Sequence, residues 1–204
     1  MDRSASGIAR CIRLAREGRD EALGDLLESY RNYLRLMAAT CLDRDVRAKA
    51  DASDVVQETL LQAHRSFGRF RGTTEREWVK WIRQILVNKI AELQRRFSLK
   101  CRRVSRERSL EAAMERSSLM LRNLVPARDN SPSQEAQRRE RSVILADALA
   151  ELDPEEREVV VLRNLRELDW NEIAARTGRS PDAARMLWTR ALQRITPLLR
   201  ERMS

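Results

Sequence analysis

Arg185, Met186, Thr189 and Arg190 follow Arg179 and Ser180 at spacings that put them on one side of a helix. Guanidinium forks and hydroxyls on one helix face can bond base edges and phosphate oxygens. That is recognition chemistry. Nothing supports catalysis: the chain has no Ser/His/Asp or Cys/His set, no phosphate-cradling glycine loop and no HExxH, and His64 is its single histidine. Paired acids such as Glu155 and Glu156 suit a helix's first turn, where the dipole favours them. Cys11, Cys41 and Cys101 are odd in number and lack metal-binding spacing, so they read as ordinary reduced side chains. No metal and no cofactor is expected.

The elements that would position this face are written in the flanking residues. Asp169 can cap a first helix, with Glu172 completing a capping box three residues on. Gly178 stands where that helix must end in a left-handed conformation. Ser180 offers the next N-cap, and Pro181 occupies a first helical position, where its missing N–H costs nothing. Ala174 and Ala175 are small enough to let two helices approach closely. Ala184, Leu187, Trp188, Ala191 and Ile195 form the apolar stripe of the second helix. The pattern is a helix-turn-helix, whose second helix normally enters the DNA major groove. From Ser142 to Ala175 there are three Arg against nine acids, and from Arg176 to Ser204 seven Arg against two. The field therefore turns positive at the turn, which favours DNA contact over a plain amphipathic hairpin.

The whole chain has 204 residues, with 40 Lys and Arg against 31 Asp and Glu, a formal net charge of +9. That balance points to nucleic acid or an anionic surface. Only 6 Gly and 5 Pro occur, and apolar residues recur at helical spacing, so an all-α fold is expected. No apolar run approaches the roughly 20 residues of a membrane span, and the N-terminus lacks a signal peptide's apolar core. A cytoplasmic protein without membrane insertion follows.

In chain order, a short helix is expected up to about Gly18, then one helix burying Leu23, Leu26, Leu27, Tyr30, Leu34 and Met37, then a polar bend from Asp43 to Ala50. Asp51 can cap the next helix, whose core stripe is Val56, Leu60, Ala63 and Phe67. Asp54, Gln57, Glu58 and Leu61 lie on its other side. An acidic and amide surface with an exposed leucine would suit a protein partner, although a solvated face is the plainer reading on physics alone. The basic loop Arg69–Thr74 leads into a long helix from about Glu75 to Arg96, with Val79, Ile82, Leu86, Ile90 and Leu93 inward. Arg71, Thr73, Thr74, Lys80, Arg83, Gln84 and Asn88 combine cations, hydroxyls and amides near Trp78 and Trp81. Single-stranded nucleic acid is held that way, by charge on phosphate and rings on bases. The bland alternative, favoured for Trp81, is that the tryptophans are core.

Residues 98–133 read as a basic linker holding one short helix near Leu110–Leu124 and a loop over 126–133. A helix from about Ser133 to Leu152 follows. Asp153-Pro154-Glu155-Glu156 restarts the chain with a cap, a first-position proline and a box glutamate. Val159, Val160 and Leu162 would bury this helix against the helix-turn-helix. Two small helical domains are thus expected, 1–97 and 134–204.

Taken together, these motifs resemble bacterial RNA polymerase sigma factors of the sigma-70 family, extracytoplasmic-function (ECF) type, over about residues 20 to 200 and least in the linker. Asp51-Ala52-Ser53-Asp54-Val55-Val56-Gln57-Glu58 is similar to the family's stretch that binds the clamp helices of the largest polymerase subunit. Phe70-Arg71-Gly72, with Trp81 and Val87-Asn88, resembles the segment that opens and reads the minus-ten element. Leu152-Asp153-Pro154 onward resembles the domain that reads the minus-thirty-five element. Asp-Val-Val-Gln-Glu-Thr and Phe-Arg-Gly-Thr-Thr-Glu are similar in style to planctomycete forms. The order and spacing of three motifs make the resemblance specific. It implies a region 2-like bundle and a region 4-like helix-turn-helix in a transcription initiation factor, not an enzyme. The implied partners are core RNA polymerase and promoter DNA, with an anti-sigma factor or another regulator as a further candidate. It also implies roles: Asp54, Gln57, Glu58 and Leu61 for polymerase; Arg71, Thr73, Thr74, Lys80, Arg83, Gln84 and Asn88 for minus ten; Arg179, Ser180, Arg185, Met186, Thr189 and Arg190 for minus thirty-five. Departures are His64 where many members carry Trp, Gln84 where many carry Arg, a loop about two residues longer before Trp81, and Met186-Leu187 for a common Ser-Arg pair. Rival readings are a stand-alone helix-turn-helix regulator, a class that usually dimerises on palindromes and against which this chain shows no long apolar heptad seam, and an adaptor that binds polymerase without DNA.

Overall fold

The computed structural model describes residues 5–42, 51–97, 103–123 and 132–203, and every regular element among them is helical. Helix α1 (Ala5–Arg16) turns Ile8, Ile12 and Ala15 inward and ends at Gly18, whose φ of +86° is left-handed. The single long helix expected next is two: α2 (Asp20–Ser29) and α3 (Arg31–Cys41), which meet at Tyr30. All six expected core residues across that junction are buried. The bend expected over 43–50 lies outside the described residues.

Helix α4 (Ala52–Ser66) starts as read, the Asp51 carboxylate accepting from the Ser53 N–H at 3.0 Å. A 3-10 turn (Phe67–Arg69) and extended Phe70 lead to α5 (Glu75–Phe97). Trp78 is fully buried, with the rings of Tyr30, Phe67, Phe70 and Trp81 around it at 5.3–6.3 Å between centroids. Such pairs add about 0.5–1.5 kcal/mol each beyond area burial. Both tryptophans thus belong to the core, but Trp78 and not Trp81 is the fully buried ring. Trp81 is only partly buried and lies against Phe70 at 4.9 Å, because Trp78, Ile82 and Leu86 share the inward line of α5.

The linker is more ordered than the sequence suggested. Helix α6 (Arg103–Asn123) packs against α3, α5 and α7 (Pro132–Ala150). Leu110, Met114 and Leu121 enter the main core, and Ser117 and Ser118 are buried beside them. Ser118 pairs with the Tyr33 hydroxyl at 3.1 Å. Small hydroxyl residues fill the helix seam where an apolar stripe would otherwise announce it. The loop expected over 126–133 falls outside the described residues as far as 131, and Pro132 already opens α7.

Two arginines hold the C-terminal half in place. The Arg166 guanidinium donates to the Ala39 and Leu42 carbonyls at 2.8 and 2.9 Å, satisfying the end of α3. Arg157 donates to the Leu149, Ala150 and Leu152 carbonyls at 2.8–2.9 Å and closes the end of α7. Burial, with Arg35 nearby, pushes the Arg157 pKa below its ordinary value. Helix α8 (Pro154–Val160) does begin with proline, but Asp153 makes no cap bond. Asp153 and buried Glu156 instead accept from Arg194, at 2.5 and 2.9 Å, so ion pairing replaces the expected capping box.

A π-helical turn (Val161–Leu165) leads to α9 (Trp170–Thr177) and α10 (Pro181–Met203). Val159, Leu162, Ile173 and Ala184 form their small core, with Leu187 and Trp188 packed on it, whereas Val160 joins the main core. Ala174 is buried at the helix contact and Ala175 faces solvent, so one small residue serves the close approach. The Asp169 carboxylate accepts from the Asn171 and Glu172 N–H groups at 2.8 Å, and Glu172 accepts from the Asp169 N–H at 2.9 Å. Asp169→Ala removes that box and is expected to cost about 1 kcal/mol, read as a lower urea midpoint for the unfolding of α9 and α10.

Candidate nucleic-acid interface

The turn between α9 and α10 has the geometry its residues dictate. Gly178 sits at φ +67°, and the Ser180 hydroxyl accepts from the Ala183 N–H at 3.2 Å as the cap of α10. Past that cap, Arg185, Met186, Thr189 and Arg190 are all exposed, with Met186 at 58%. Arg185 is held on its own helix by Asp182 at 2.9 Å, and its guanidinium lies 5.7 Å from the Trp170 ring centre. Arg179 is bridged to Glu155 on α8. Trp188 donates its indole N–H to Asn164 at 2.8 Å, which fixes the rotation of α10 relative to the π turn. The six residues singled out on this side thus share one surface, and two of its arginines already have acidic partners.

The second set begins in the loop before α5. Arg16, on α1, donates to the Phe70 and Gly72 carbonyls at 3.2 and 2.6 Å. Gly72 is required by close approach: a Cβ there would stand 2.6 Å from both the Phe70 ring and the Glu77 Cβ. The Glu77 carboxylate accepts from the Thr73 N–H at 2.9 Å and from the Thr74 N–H and hydroxyl at 3.0 and 2.8 Å. The Thr74 oxygen accepts the Glu77 N–H at 3.3 Å in return. Thr74 is therefore the cap of α5, whereas Thr73 is engaged through its backbone. These contacts to Glu77 and Arg16 were missed in the sequence. The first had a signal, a threonine three residues before a glutamate; the second, across more than fifty residues, had none. The Thr73 N–H, followed by the Thr74 hydroxyl and N–H, holds the Glu77 carboxyl below the usual carboxylate range.

Along α5, Lys80, Gln84 and Asn88 are exposed on one face, as expected. The Gln84 amide donates to Asn88 at 3.2 Å and to Glu111 of α6 at 3.0 Å. Arg83 differs from its expected open position: its side chain is only 15% exposed and it pairs with Glu115 of α6 at 2.8 Å. On α4, Asp54, Gln57, Glu58 and Leu61 are all exposed, Leu61 at 50%. Glu58 lies 3.7 Å from Lys89 of α5. Among the described residues no group of His, Cys, Asp and Glu could hold a metal ion, and no helix is long and apolar enough to cross a membrane.

Glu77→Ala is expected to speed amide exchange at Thr73 and Thr74 while leaving exchange in α9 and α10 unchanged. Acid acts in the same direction. A carboxylate with a depressed pKa contributes its bonds above its unfolded pKa and loses them as pH falls through the folded one. The loop should therefore loosen only below the ordinary carboxylate range, visible as a late-titrating Glu77 resonance.

Residues 29–97 match the family described as Sigma-70 region 2, and residues 142–195 match Sigma-70, region 4. The chain is 30% identical over 186 residues to RNA polymerase sigma factor CarQ of Myxococcus xanthus, covering 91% of this chain and 94% of that protein. It is 29% identical to the RNA polymerase sigma-E factor of Streptomyces avermitilis, covering 89% and 90%. With ECF RNA polymerase sigma factor SigG of Mycobacterium tuberculosis it shares 34% over 199 residues, and it spans about half of that longer protein, 53%. The overlay on the RsbN–BldN complex (21% identity, 92% of this chain and 98% of that one, TM-score 0.33) is too loose to add to this. With both regions present in family order and a relative spanned almost end to end, the chain belongs to the sigma-70 family of RNA polymerase sigma factors, ECF type: non-enzymatic factors that act with core polymerase to initiate transcription at promoters.

Proposed function

We propose that the exposed face of α4 docks on the clamp helices of the polymerase's largest subunit, and that the loop with α5 and the face of α10 read the minus-ten and minus-thirty-five elements. The observation that carries this is the clustering of Asp54, Gln57, Glu58 and Leu61 on the one side of α4 that is not core. An exposed leucine among acids, in a chain of net charge +9, suits a protein surface and not DNA. Residues 1–97 then serve polymerase and the minus-ten element, 98–133 connect, and 134–204 serve the minus-thirty-five element. Arg71, Thr73, Thr74, Lys80, Arg83, Gln84 and Asn88 form the first reader; Arg179, Ser180, Arg185, Met186, Thr189 and Arg190 form the second. Joining two weak readers on one polymerase multiplies their affinities through effective concentration. Capture of unstacked bases by the loop offsets an unstacking cost on the order of a few kcal/mol per base. The protein works in the cytoplasm, where polymerase is, and an anti-sigma factor is a fitting regulator. The Asp54–Thr59 and Phe70–Glu75 stretches have a planctomycete character.

Asp54→Arg with Glu58→Arg is expected to abolish co-elution with core polymerase at unchanged helicity; retained binding would remove α4 from the interface. For base capture the informative variant is Thr73→Val, because Thr74→Val would also uncap α5. Thr73→Val should impair permanganate-detected opening of a duplex promoter, with activity only partly restored on a pre-melted bubble. Normal opening by that variant would leave the face as a source of general, salt-sensitive attraction alone.

A further inference from the structure

Helix α6 carries two acids, Glu111 and Glu115, one turn apart beside its buried seam of Leu110 and Met114. Both point at α5. Glu115 pairs with Arg83 at 2.8 Å and Glu111 accepts from Gln84 at 3.0 Å. Lys80, Arg83, Gln84 and Val87 form one wall of a groove whose other wall is Glu111, Ala112, Met114 and Glu115. The same α5 face is the one assigned above to the minus-ten element, so two carboxylates line the groove that a strand's phosphates would enter. We infer that α6 is a built-in competitor for this face, an acidic clasp that stands in for a nucleic-acid strand and must yield before a single strand can bind. The inference rests on the minus-ten assignment and adds its regulation.

The strength of the clasp suits a competitor. Glu115 is 54% exposed, so water screens its pair with Arg83 from the carboxylate side, although Arg83 itself is only 15% exposed. Anchorage comes from the few apolar residues of the seam and the Tyr33–Ser118 hydroxyl pair. A face that is free only part of the time binds with an affinity reduced by that fraction, and weakening the clasp restores it.

The test uses the full chain and fluorescence anisotropy with a labelled oligothymidine strand. Glu111→Gln with Glu115→Gln is compared with Glu21→Gln with Asp25→Asn, which removes the same charge from α2. The clasp variant is expected to bind roughly threefold tighter or better, the α2 variant to stay near wild type, and oligothymidine to speed amide exchange in α6 of the wild-type chain. Equal tightening in both variants would reduce the effect to net charge, and no tightening in either would show that α6 does not compete; each overturns the clasp. Adding Lys80→Ala and Asn88→Ala to the clasp variant separates the two levels. If these lower binding while the clasp variant alone gains nothing, only the clasp fails. If they change nothing, the face does not hold a strand, and both the clasp and the minus-ten assignment fall.

Discussion

Trp78 has no surface in water, and its indole N–H makes no hydrogen bond among the described residues. Leaving a buried donor unmet costs about 1–3 kcal/mol. What offsets that cost is the ring of aromatic neighbours drawn from separate elements: Tyr30 at the α2–α3 junction, Phe67 in the 3-10 turn, Phe70 in the loop and Trp81 on α5. The loop that precedes α5 is thus pinned from beneath by Phe70 before any of its polar residues acts. Gly72 follows because the chain must pass directly over that ring. Arg16 then ties the Phe70 and Gly72 carbonyls, and Glu77 gathers the Thr73 and Thr74 N–H groups. Each step leaves fewer conformations to the exposed Thr73.

The basic balance of the chain overstates what is available to nucleic acid. Arg16, Arg157 and Arg166 are used on backbone carbonyls, where a planar fork of donors closes helix ends and loops. Arg83, Arg179 and Arg194 face acids. The positive field that remains on the two proposed readers comes from fewer groups: Arg71, Lys80 and Arg190 are exposed and have no such assignment among the described residues. A net charge therefore says that a polyanion is a fitting partner, but not which cations meet it.

What the sequence made legible was local. Asp169, Glu172, Gly178, Ser180 and Pro181 act within four residues of themselves, and all five take the positions their chemistry prescribes. The exposed and buried sides of α4 were readable for the same reason, since helical spacing alone separates them. Failures came where a distant partner competed. Asp153 and Glu156 had capping geometry in reach, yet Arg194 takes both carboxylates from forty residues away. Trp78 and Trp81 have the same composition signal, and only the shape of the neighbouring core decides which ring goes under. In α6 the seam mixes serine with leucine and methionine, so no apolar stripe declares a packed helix, and its acids gain meaning only beside α5.

The two proposed DNA readers differ in where the partners of their side chains lie. On α10 the partners are local: Arg185 pairs with Asp182 one turn away, beside Trp170, and Thr189 bonds back to the Arg185 carbonyl at 3.0 Å. Both members of the Arg185–Asp182 pair are largely exposed, 55% and 88%, so water screens it and DNA would have little to displace. On α5 the corresponding groups are held by bonds that a ligand must replace, Gln84 and Arg83 by Glu111 and Glu115. Arg83 is only 15% exposed, so its pair with Glu115 is the harder one to exchange. In the proposed roles, Arg185 reaches a formed duplex by giving up a screened pair on its own helix, whereas Arg83 reaches melted DNA only after a neighbouring helix releases it.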